Sequence, residues 1–81
     1  MKKNQAAVKL TELKKGSNGI IKDIGTDWEK SRKLLTLGIL PGEEFTLLQK
    51  YPVILLKLGY SFVAVDESLG EKIQVIIQNE G

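Results

Sequence analysis

The sequence predicts a mainly β fold, a small five-stranded barrel with one short α-helix after the first strand. Three observations lead there. Beyond residue 43 the chain reads as short apolar segments at 44–50, 52–58, 60–65 and 72–78, rich in β-branched and aromatic residues and parted by glycines and turn residues. Only one stretch, 27–37, sets apolar residues at helical spacing. And with 81 residues the chain has material for one core, so strands with sticky edges gain by closing on themselves. The expected organisation is a flexible segment at 1–8, a single domain at 9–78 and a tail at 79–81.

Taken in order, Leu10 and Leu13 stand three apart and can pin a brief turn to the core. Lys15-Gly16-Ser17-Asn18-Gly19 is a turn by composition, because Gly and Asn tolerate positive φ. The first strand, 19–24, carries Ile20, Ile21 and Ile24 in imperfect alternation, which predicts a bulge or strong twist. Thr26-Asp27-Trp28-Glu29 fits a capping box with Thr26 as the cap. The helix that follows would bury Trp28, Leu34, Leu35 and Leu37 and expose Glu29, Arg32, Lys33 and Thr36, with Glu29 and Lys33 in the favourable order for an ion pair.

Two stops then fall within a few residues. Gly38 follows the last periodic residue, Leu37, where a helix end favours positive φ, and Ile39 would pack back on Leu34. Pro41-Gly42 supplies a type II turn into the next strand. Residues 44–50 alternate Phe45 and Leu47 against Thr46 and Leu48, and 52–58 is apolar enough to suggest a strand covered on both faces. Gly59 marks a hairpin into 60–65, 66–70 is a turn, and the last strand turns Ile73, Val75 and Ile77 inward.

Composition narrows the chemistry. Cysteine and histidine are absent, which removes disulfides, thiolate sites and the usual general base. Serines 17, 31, 61 and 68 therefore lack an ordinary activating partner, and no enzyme is predicted. No cofactor or metal site is predicted either. Glu43-Glu44 reads as a solvated strand start, and a metal site built from Asp66, Glu67 and Glu71 would be hard, oxygen-only and weak. Gly16-Ser17-Asn18-Gly19 lacks the ending of a phosphate loop. Net charge is +2, from 12 basic and 10 acidic residues, too even for a dedicated nucleic-acid binder. Tyr60 and Phe62 share a strand face, but without a basic companion there. No apolar run approaches a membrane span, and the polar residues 4–9 offer no signal-peptide core, so a cytoplasmic location is expected.

Leu34-x-x-Leu37-Gly38-Ile39-x-Pro41-Gly42 resembles the signature of the FeoA family, small proteins of ferrous iron transport. Lys9-Leu10-x-x-Leu13-x-x-Gly16, Gly19-x-Ile21-x-x-Ile24 and Ile73-x-Val75 keep the family's order, so the likeness runs over about 10–76. The resemblance implies an SH3-like barrel, similar also to the C-terminal domain of diphtheria-toxin-repressor-type iron regulators. It implies an accessory role in iron homeostasis, with transition-metal binding a property of the family rather than of residues seen here. The implied partner is a FeoB-like membrane ferrous iron transporter with a cytosolic G domain, which would draw the protein to the inner face of the membrane.

Three departures from the family pattern stand out. Lys33 replaces a frequent Arg, the 49–52 connection is short, and Gly70 stands where Ala or another apolar residue is common. Protein–protein binding is the function class expected, through a basic helix edge of Lys30, Arg32 and Lys33 and an aromatic loop of Tyr51 and Pro52. The alternatives are a nucleic-acid-binding barrel and a stand-alone metal-responsive module related to iron-dependent repressors.

Overall fold

The alternation read from residue 43 onward becomes real strands in the computed structural model, which describes residues 6–80. The described residues form six strands: β1 (Val8–Lys9), β2 (Asn18–Asp23), β3 (Glu44–Gln49), β4 (Ile54–Leu58), β5 (Ser61–Val65) and β6 (Gln74–Asn79). They form one antiparallel sheet in the order β1-β6-β2-β3-β4-β5. The additional strand is β1, two residues long, paired with β6 through Val8 and Val75. Val8 thus belongs to the sheet rather than to a loose start, and Asn79 to β6 rather than to a tail; residues 1–5 and 81 lie outside the described residues.

The mainly β fold is as expected, with one strand more, and hydrogen bonding leaves the sheet open at one seam. β1 and β5 end the strand order without pairing to each other. Helical turns occupy that seam. A 3-10 turn, Leu10–Glu12, follows β1, and Leu10 N donates to Ile73 O at 2.9 Å. Residues 66–70, expected as a plain turn, hold a short helix, α2 (Glu67–Gly70), because the Asp66 carboxylate accepts from Leu69 N at 2.8 Å. Gly70 lies so close to Ile54 and Thr11 that a methyl group there would sit 2.5 Å from Ile54 Cδ1 and 3.4 Å from Thr11 Cγ2. The departure at Gly70 therefore has a packing cause.

β2 is the hub of the sheet. It pairs with β6 on one side and β3 on the other, and its register with β6 shifts at Asn18/Gly19 and again at Ile21/Asp23. Those shifts are the irregularity its isoleucines announced, and they let the strand bend. One face of the sheet is buried: Ile21, Phe45, Leu47, Leu56 and Val75 pack with Leu10, Leu34, Ile39 and Ile73 into a single core. β4 is covered on one face only, since Ile54, Leu56 and Leu58 are buried while Lys57 between them is exposed. Gly59-Tyr60 is a two-residue hairpin loop, with Leu58 facing Ser61 and Gly59 at φ 60°.

Between β2 and β3 lies α1 (Trp28–Thr36). Its cap is Asp27, whose carboxylate accepts from Lys30 N at 3.2 Å, and not Thr26. Its C-terminus follows the sequence closely. Gly38 (φ 89°) donates its N–H to Leu35 O at 2.9 Å, Ile39 N donates to Leu34 O at 3.0 Å, and both Leu34 and Ile39 are fully buried. That is a Schellman end with its apolar contact. Glu43 N then donates to Leu40 O at 3.1 Å across Pro41-Gly42, and Gly42 N donates to Ile21 O at 2.7 Å, which returns the chain to β2.

Candidate interaction surface

The buried stripe of α1 is narrower than its spacing suggested. Ser31 and Leu34 face the core, whereas Trp28 is 68% exposed and Leu35 and Leu37 are each about 40% exposed. Trp28 is six positions before Leu34, about 120° away around the helix, so it cannot share Leu34's contacts. Ser31 fills the place the larger residues were expected to take. Its Oγ donates to Asp27 O at 2.9 Å, which satisfies the hydroxyl within the helix and keeps the inward face small.

The basic edge divides. Arg32 and Lys33 are exposed, but Lys30 is half-buried and its Nζ donates to Ser68 Oγ at 2.8 Å, tying α1 to α2. Glu29 forms no ion pair with Lys33 or Arg32 among the described residues. Arg32, Lys33, Thr36 and Leu37 meet Leu69 of α2 around a shallow groove open to solvent. Leu69 was not singled out from the sequence. The signal was present in Asp66, a capping residue three positions before it, which marks a helical turn rather than an open one.

The aromatic loop also adjoins α2, at Glu67. Tyr51, 86% exposed, and Pro52, after a cis peptide bond, border a second depression with Lys50, Thr11, Ile54 and Glu67. Both predicted contact regions thus adjoin the same four-residue helix. The carboxylates do not converge into a metal site. Asp66 caps α2, Glu67 faces the Tyr51 depression, and no three carboxylates among the described residues are placed to hold a metal ion. The residues present do not fit such a group.

One expectation about β5 needs correcting. Phe62 (63% exposed) is the register partner of Lys57 on β4, so an aromatic and a cation do share an exposed sheet face. Sequence alone hid this, because cross-strand neighbours depend on register. Tyr60 stands fully exposed in the hairpin loop beside them.

The signature residues Leu34, Leu37, Gly38, Ile39, Pro41 and Gly42 form the helix end and return turn described above. A model of the FeoA domain matches residues 8–77. The chain belongs to the FeoA family. A crystal structure of an iron uptake regulatory protein (FeoA) is similar at 26% identity, with a TM-score of 0.79 over 89% of this chain and 99% of that one. FeoA of Stenotrophomonas maltophilia, complexed with zinc and described as a prokaryotic SH3 domain protein, is 24% identical with a TM-score of 0.65, over 89% of this chain and 91% of that one. IdeR of T. acidophilum is 19% identical, with a TM-score of 0.82 over 96% of this chain but 37% of that one. No curated protein matches the chain. The fold of this FeoA-family chain is therefore SH3-like, shared with repressors as a fold alone. No helix among the described residues is long and apolar enough to cross a membrane.

Proposed function

We propose that this FeoA-family chain is a cytoplasmic accessory protein of ferrous iron transport that works by binding the cytosolic part of a FeoB-like, G-domain-bearing membrane transporter. The family match over residues 8–77 carries the reading. The surface supports it: two exposed cations, Arg32 and Lys33, and the exposed Tyr51 both border α2, a layout suited to binding rather than to a reaction. The Stenotrophomonas protein is described as a candidate activating factor of bacterial ferrous iron transport, which agrees in kind. The test is co-purification of the transporter with tagged chain from iron-starved cells, alongside radiolabelled iron uptake. Retention of the transporter and lowered uptake on deletion are expected, and Tyr51→Ser should weaken retention without loss of folded signal in circular dichroism. Normal uptake in the deletion strain and no co-purification would refute the proposal.

The register pair Lys57–Phe62, with Tyr60 beside it, favours a second reading, a single-stranded nucleic-acid platform on β4 and β5. Titration of a labelled oligonucleotide over a salt series decides between them. The first reading expects no salt-dependent binding; a steep salt slope lost in Phe62→Ala would favour the second.

A further inference from the structure

Leu37 at the end of α1 and Leu69 on α2 form an aliphatic floor in the groove they share with Arg32, Lys33 and Thr36. Leu69 is held against the core, so the floor is fixed from below. The Lys30–Ser68 hydrogen bond links the two helices beside the groove. The rim carries a guanidinium and an ammonium with no ion-pair partner among the described residues, although Glu29 stands three and four positions before them on the same helix. A wholly apolar ligand would cover these charges without compensation, and a purely anionic one would leave the leucine floor unused. A nucleic acid would find no ring to stack on, since Trp28, Tyr51, Tyr60 and Phe62 all lie outside the groove.

We infer that the groove between α1 and α2 binds a short acidic segment of a partner protein, seating one aliphatic side chain on Leu37 and Leu69 between carboxylates held by Arg32 and Lys33. The inference rests on the reading of the chain as a protein-binding module and adds the chemistry of the bound segment. Arg32 would supply the forked contact and Lys33 a point charge, so carboxylate geometry matters more at the first than at the second.

The probe is a random library of short peptides displayed on phage, selected on the full chain, with the enriched peptides then titrated calorimetrically. Enrichment of sequences that set Asp or Glu around Leu, Ile or Met is expected. Their affinity should fall about tenfold or more in R32E/K33E, and also in Leu37→Ser. Changing Glu to Lys in a selected peptide should restore binding to R32E/K33E, a swap that simple unfolding of the variant cannot mimic. Failure to enrich any peptide, enrichment of acid-free sequences, indifference to both variants, or displacement by an oligonucleotide would each overturn the inference. The transporter itself separates the two proposals. If R32E/K33E retains it as well as the wild type does, the groove is wrong and the transporter reading stands. If acidic peptides bind the groove while the wild-type chain never retains the transporter, the groove stands and the transporter reading falls.

Discussion

A methyl group at Gly19 would collide with the Ile76 carbonyl oxygen and lie 3.0 Å from the Ile76 carbonyl carbon and 3.1 Å from Ile77 Cα. Backbone atoms of β6 cannot swing aside as a side chain can. Gly19→Ala should therefore destabilise the domain by about 3 kcal/mol, the upper end of ordinary overpacking, read as a lower midpoint in urea unfolding. Gly38 is the opposite case. Its surroundings are open and only its φ of 89° requires glycine, so Gly38→Ala should cost about 1 kcal/mol. The sequence distinguishes these two poorly. Gly38 is legible because a local rule about helix ends places it. Gly19 looks like one more turn residue, since the strand crowding it lies more than fifty positions further along the chain.

At the scale of the element, α1 shows where sequence patterns mislead. Its existence, its end and the Ile39–Leu34 contact follow from spacing and from one glycine. Its start and its buried face do not. Thr26 and Asp27 are both good caps, and the backbone selects Asp27. Asp27→Ala should cost about 1 kcal/mol in chemical denaturation, and Thr26→Ala should stay within about 0.5 kcal/mol. Equal losses at both positions would contradict the observed cap. The spacing overstates the buried arc because hydrophobic type says nothing about which flank meets the sheet. A serine faces the core while a tryptophan faces solvent.

Over the whole molecule, every strand contributes to one core, and the described residues form no second cluster to hold part of the fold if the first is opened. Leu56, fully buried at the middle of β4, is a sensitive place to test this. Leu56→Ala should cost about 4 kcal/mol, a large share of the total expected of a domain this size. Circular dichroism and hydrogen exchange should then report one cooperative loss; a β1–β6–β2 half surviving alone would show otherwise. The strand inventory was legible from alternation. The open seam between β1 and β5 was not, because alternation within a strand does not say which edges pair.

Trp28 stands nine positions before Leu37, about 180° around α1 from the leucine floor. As the sole indole of the chain it already emits from a water-rich setting, so its fluorescence should scarcely change colour when denaturant melts the domain. The same property makes it an optical indicator of docking pose. A ligand confined to the α1–α2 groove leaves the emission where it is, whereas one that wraps the far flank of the helix shifts it toward the blue.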